Sequence, residues 1–278
     1  MANRYAKLNA RFPRKRAFIT GSASGLGLEL ARALALDGWT LGLFDRNLER
    51  LNAVEAKLSA ARVPVIAYPG DVTHADELTV AVNSFADAYD GIDVMINNAG
   101  VAGSGSLMDV SLEDWRWIID INLMGVVHGC RAAIPHLQRN GSGLIINIAS
   151  AAAFASAPGM GSYNATKAAV LSLSETLVNE LRDVGTQVSV VMPTFFQTNL
   201  LETSRGAPEA REQAAQLMAA STYQASDVAR EVLRLAAAGR TYIVLPRSAR
   251  LLWRFKRWAP DTFLERLIEL RERMKTNP

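Results

Sequence analysis

Between Arg16 and Pro246, short apolar runs rich in branched residues alternate with longer stretches of helical periodicity, and this alternation constrains the chain more than any other feature. Runs so short and so uniformly apolar are buried on both faces, as strands are when helices cover both sides of a parallel sheet. Ala17–Thr20, Thr40–Phe44, Val63–Tyr68, Val94–Asn97, Leu144–Ile148, Gln187–Met192 and Thr241–Leu245 are the expected strands. Gly25–Asp37 carries Leu26, Leu30, Ala33 and Leu34 at helical spacing, and Leu48–Ala60 carries Leu51, Val54 and Leu58. Leu112–Gln138 and Ser162–Arg182 supply two long core helices. The predicted fold class is α/β, a doubly wound parallel sheet of about seven strands. We expect one domain over residues 14–246, preceded by a basic arm, 1–13, and followed by a basic amphipathic helical extension, 247–278.

A chain of 278 residues, 49% hydrophobic, is long enough to bury a large core. Its single cysteine, Cys130, can close no internal disulfide. No uninterrupted apolar run approaches the ~20 residues that cross a bilayer, and the first residues lack the apolar stretch of a secretory signal. The expectation is a soluble, cytoplasmic protein. The net charge of +3 conceals an asymmetry: residues 1–16 hold six cations and no acid, and residues 247–278 hold nine cations against four acids. Removing the +6 and +5 of the ends leaves −8 for residues 17–246. The basic pI therefore belongs to the ends, which are read as a solvated arm and an exposed helix face, and nucleic acid gains no support as a partner.

The first expected strand runs into Thr20-Gly21-Ser22-Ala23-Ser24-Gly25-Leu26-Gly27, where an amphipathic helix begins. Glycines let the backbone approach a ligand, and a helix start aims unpaired N–H groups at an anion, so a diphosphate fits there. The same loop also suits plain tight packing. Asp45 closes the second strand, eighteen positions after Gly27, where its carboxylate either bonds an adenosine ribose, favouring NAD over NADP, or caps a helix. Arg46 beside it keeps NADP open, because a guanidinium pairs with a 2′-phosphate or stacks on adenine.

Tyr163 and Lys167 stand four positions apart near the start of a helical stretch, on one face. A cation near a phenol favours the phenolate and brings a tyrosine, ordinarily near ~10, toward useful base strength. An exposed pair on an amphipathic helix has the same spacing, so the surroundings decide. Ser150 ends the fifth strand, on the rim where open α/β sheets bind ligands, and the small residues of Asn97-Asn98-Ala99-Gly100 end the fourth. Asn122 sits deep in a helical segment, either buried with a partner or facing water.

Together these residues resemble the short-chain dehydrogenase/reductase family from about Arg14 to Pro246. Residues 20–27 look like its TGxxxGxG cofactor loop, 97–100 are its NNAG motif, and Asn122, Ser150, Tyr163 and Lys167 match its catalytic tetrad in order and spacing. Asp71 and Val72 resemble its adenine contact. Pro193 and Thr198 resemble its PGxxxT segment, with Thr194 in place of the glycine. The resemblance implies a Rossmann-type fold, NAD as cofactor with NADP not excluded, no metal, and a homodimer or homotetramer. It implies cofactor contacts at Gly21, Ser24, Gly25, Leu26, Gly27, Asp45, Arg46, Asp71, Val72, Asn98, Ala99, Gly100, Tyr163, Lys167, Pro193 and Thr198. It further implies that Tyr163 exchanges a proton with the substrate oxygen while hydride passes to or from nicotinamide. Lys167 then lowers the tyrosine pKa, Ser150 holds the substrate oxygen, and Asn122 positions a water.

The expected activity is interconversion of a secondary alcohol and a ketone; a nicotinamide-sensing binding protein is the alternative, and the intact tetrad favours the enzyme. Phe195 and Phe196 open the segment after Pro193, and Phe154 and Met160 precede Tyr163, so with Ser150 and Tyr163 they outline an apolar substrate pocket. The cations and aromatics of 247–258 allow a subunit contact, peripheral membrane contact that suits a lipid or steroid substrate, or a cover for the pocket.

Overall fold

A computed structural model describes residues 4–206 and 208–276, without the side chains of 208–210, 213 and 270–276. Its elements are α1 (Ala6–Arg11), β1 (Arg16–Thr20), α2 (Gly25–Ala35), β2 (Thr40–Asp45), α3 (Leu48–Ala60), β3 (Val65–Pro69), α4 (Ala75–Tyr89), β4 (Val94–Asn97) and β5 (Gly103–Ser104). Then come α5 (Leu112–Ile119), a π-helical turn (Asp120–Met124), α6 (Gly125–Arg139), β6 (Gly143–Ile148), α7 (Ala152–Ala155), α8 (Gly161–Glu180) and β7 (Thr186–Pro193). The remainder are β8 (Arg205–Gly206), α9 (Pro208–Ala219), α10 (Ala225–Ala237), β9 (Tyr242–Leu245), α11 (Ala249–Trp258) and α12 (Pro260–Thr276).

Seven strands form one parallel sheet in the order β3-β2-β1-β4-β6-β7-β9, and each coincides with a predicted run to within two residues. Side chains alternate between two apolar layers: Ala17 and Ile19 of β1 enter one, Phe18 the other. One layer packs under α4, α6 and α8, the other under α1, α2, α3 and α10. Burial on both faces is why the strands read as continuous apolar runs rather than as alternating ones. The chain winds outward from β1 to β3, returns to β4 on the opposite side, and so leaves a crevice at the carboxyl ends of β1 and β4.

Three expectations change. The N-terminal segment is no solvated arm: Leu8 and Phe12 are fully buried and Tyr5 nearly so, in the layer shared with α2 and α10. Arg16, counted with the basic arm, is buried against Asp93, its guanidinium bonding both carboxylate oxygens at 2.8 and 3.1 Å. The single helix expected over 112–138 is two helices joined by the π-turn. By length and mean hydropathy the stretch Leu112–Arg139 could span a membrane, yet here it packs on α4 and α8 with half of its most apolar window buried.

Candidate active site

The glycine loop is built by close approach. Gly21 (φ +63°) and Gly25 (φ +53°) hold left-handed conformations, and a Cβ on Gly21 would stand 2.7 Å from Ala99 Cα. Gly27 faces away from the crevice, where a Cβ would meet the Gly21 carbonyl oxygen at 2.1 Å. It sets the packing of helix on loop and lines no part of the cleft. Asn98 fastens the loop from β4, its side-chain amide donating to the carbonyls of Thr20 and Gly21 at 3.0 and 2.9 Å. Asn97 points the other way and donates to Asn147 Oδ1 at 2.8 Å, within a buried polar chain that continues to Ser174. The paired asparagines thus tie β4 both to the loop and to β6.

Above this frame lies a cleft of about 510 Å³. At one end Asp45 receives the N–H groups of Ala23 and Asn47, both at 2.9 Å; Asn47, not Asp45, caps α3. Arg46, Asp71 and Val72 complete that end, Ser24, Gly25, Leu26, Ala99 and Gly100 run along the floor, and Pro193 and Thr198 lie on the far wall. Thr194, the departure from the family pattern, donates its N–H to Leu245 O at 2.9 Å and so keeps the end of β7 in register with β9.

Tyr163 and Lys167 on α8 reach the same cleft with Ser150 from the end of β6. Tyr163 and Ser150 line the cleft together, and Ser150 Oγ accepts the Ala152 N–H at 3.1 Å. Lys167 Nζ donates to Ile148 O at 3.0 Å and lies 5.7 Å from the tyrosine ring centroid. Burial dominates both groups. It pushes the tyrosine above its ordinary 10, opposed by the Ser150 hydroxyl, and brings the lysine down to about 8.

Asn122 lies in the π-turn, fully buried. Its Oδ1 accepts the Val101 N–H at 2.8 Å, and its amide donates to Val101 O at 2.9 Å and Thr166 Oγ1 at 3.3 Å. Both amide protons are spent on protein, so the side chain holds the Gly100–Val101 turn against α8 rather than offering a donor to water.

Beyond Tyr163 the cleft is lined by Met160, Phe195, Phe196, Leu200 and Leu201. Phe154 does not line it: the side chain is buried in the layer beneath α8, since the short α7 turns it into the core. Residues missed by sequence reasoning include Met218 from α9 and Leu252 from α11, far along the chain, and the ion pair of Arg50 with Glu202 at 2.7 Å that crosses the cleft's edge. For Leu252 the one signal was the reading of 247–258 as a cover for the pocket; nothing in the sequence marks Met218 or links Arg50 to Glu202.

Residues 15–209 match the family described as short chain dehydrogenase. The chain is 32% identical over 231 residues to a 3-oxoacyl-acyl-carrier-protein reductase of Staphylococcus aureus, covering 82% of this chain and 93% of that one. It is 34% identical over 193 residues to a protein of the same description from Synechocystis, covering 69% and 78%. Among solved structures, a short chain dehydrogenase/reductase from Burkholderia phymatum in complex with NAD superposes with a TM-score of 0.84 at 30% identity, covering 90% of this chain and 95% of that one. An alcohol dehydrogenase from Thermococcus sibiricus complexed with 5-hydroxy-NADP gives 0.73 at 27% identity, covering 83% and 95%.

Proposed function

We propose that this chain, which belongs to the short-chain dehydrogenase family, is an NAD(P)-dependent oxidoreductase that interconverts an apolar secondary alcohol and its ketone. The observation that carries this reading is the convergence of Tyr163, Ser150 and Lys167 in one cleft with the glycine loop. A dinucleotide fits the chain: the left-handed Gly21 and Gly25 and the start of α2 at the cleft floor would suit a diphosphate, and the Asp45 carboxylate at the cleft's end would suit an adenosine ribose. The carboxylate favours NAD, since a 2′-phosphate there meets like charge. When bound, the nicotinamide accepts or supplies the hydride.

The protein's own residues handle the proton and the orientation. In reduction Tyr163 gives its hydroxyl proton to the carbonyl oxygen as the carbon gains hydride; in oxidation the same oxygen takes the alcohol proton back. Ser150 donates a hydrogen bond to the substrate oxygen and holds it beside the tyrosine. Lys167, charged below about pH 8, offsets the negative charge that develops on the phenol oxygen. Asn122 is a positioning residue that fixes the turn carrying Gly100, where a Cβ would stand 3.4 Å from Lys167 Nζ. Proton transfer by a placed group is worth about 10²–10⁴-fold.

Initial rates with NAD and NADP, over alcohols and ketones from small and polar to long and apolar, test this reading beside a Tyr163→Phe variant. We expect turnover that rises with apolar length, favours NAD and falls by at least about 10²-fold in the variant. Cofactor binding with no turnover on any substrate would instead support a nicotinamide-sensing protein.

A further inference from the structure

Exposed large apolar side chains gather on α11 and α12, where the chain leaves the sheet. A helical step of about 100° places Leu251, Leu252, Phe255 and Trp258 on one face of α11. Ala249 and Trp253 lie opposite and pack on the body, Trp253 with its ring 5.0 Å from that of Tyr242. Trp258 is 92% and Leu251 69% exposed, and Leu264 and Ile268 of α12 are exposed as well. Water-facing tryptophan and leucine in such number call for a covering.

The charges say what covers it. Residues 247–258 hold five cations and no acid, and none of the five forms an ion pair among the described residues. Arg250 and Arg257 turn toward the body, onto Val244 O and over the Tyr242 and Trp253 rings. Arg254 and Lys256 border the apolar face on its two sides, Lys256 with its ammonium 5.3 Å from the Phe263 ring centroid, the arrangement in which long cationic side chains lie at headgroup level while the face between them enters the acyl layer. A second copy meeting this patch about a two-fold axis sets one cation row against the other.

We propose that α11 docks this protein on an anionic lipid surface, Leu251, Phe255 and Trp258 entering the acyl boundary and Arg254 and Lys256 meeting the headgroups. Leu252, on the same helix, lines the cleft with Met218 and the exposed Phe195, so docking turns the mouth of the cleft toward the lipid. The docking itself does not depend on the reaction assigned above.

Sedimentation of the full-length protein with phosphatidylcholine vesicles, with and without about one-third phosphatidylglycerol, tests the docking alongside tryptophan fluorescence. Expected are binding to the anionic vesicles at about 0.05 M salt, release by about 0.5 M, and a blue shift on binding. A Leu251→Ser/Trp258→Ser variant keeps its melting temperature and cofactor affinity, loses the shift and partitions about tenfold less or weaker. Absence of binding at low salt overturns the proposal, as does undiminished binding of the variant. Concentration-dependent self-association that the variant abolishes, without vesicle binding, assigns the face to a second copy.

Discussion

Lys167 carries an ammonium into a site with almost no solvent, where the hydrogen bond it donates among the described residues goes to a neutral carbonyl. Its folded pKa of about 8 lies below its ordinary 10.5. Below pH 8 the lysine is charged in both folded and unfolded chains, and the full burial penalty applies. Between about 8 and 10.5 the unfolded chain binds more proton, so stability rises with pH through this group and then levels off. The penalty is about 3 kcal/mol. Lys167→Met removes it and leaves Ile148 O unpaired, which costs about 1–2 kcal/mol. The variant is expected to be about 1–2 kcal/mol more stable at neutral pH, to lose the stabilisation between pH 8 and 10.5, and to lose turnover; urea titrations across pH together with rates check all three. Cys130 shows burial acting on a group outside the chemistry: it is pushed up to about 12, which keeps the thiol protonated and inert.

The segment from Thr194 to Gly206 closes the cleft and is fastened at two points. Glu202 pairs with Arg50 of α3. Arg205 bonds Asp114 of α5 at 3.0 Å and lies 4.4 Å from the Trp117 ring, while β8 pairs with β5. Exposed pairs of this kind contribute under about 1 kcal/mol each to global stability. Arg205→Ala is expected to shift the melting temperature little, raise the substrate KM several-fold with the cofactor KM unchanged, and speed proteolytic cleavage in this segment; steady-state kinetics and limited proteolysis read out both. None of this was legible in the sequence, because the contacts join residues 88 to 152 apart without a repeating pattern. The sheet was legible for the opposite reason: buried parallel strands announce themselves locally through branched apolar runs. Tyr163, Ser150 and the glycine loop also fell at strand and helix ends that those runs had already located. Phe154 failed because a single turn of helix decides whether it faces cleft or core, and periodicity has no hold on four residues. Tyr5, Leu8 and Phe12 failed because the cations between them dominate the composition.

At the scale of the whole molecule, a buried ion pair ties together the two strands at the middle of the sheet. Arg16 and Asp93 join β1 to the entrance of β4 at the end of the sheet away from the cleft, both nearly free of solvent. Asp93 also receives the Arg16 backbone N–H at 2.9 Å. Asp93→Ala leaves a buried guanidinium without its carboxylate and is expected to destabilise the fold by about 3–5 kcal/mol, measured by urea unfolding, with little change in the kinetics of the surviving folded enzyme.

That ion pair spans 77 positions. A ribosome adding about 5–20 residues per second needs roughly 4–15 s to deliver Asp93 after Arg16. For that interval β1 waits with an open edge and an unanswered cation at what becomes the middle of the sheet, while β2 and β3 are still being made. The centre of this fold is thus among the first parts made and cannot be finished until a third of the chain has emerged.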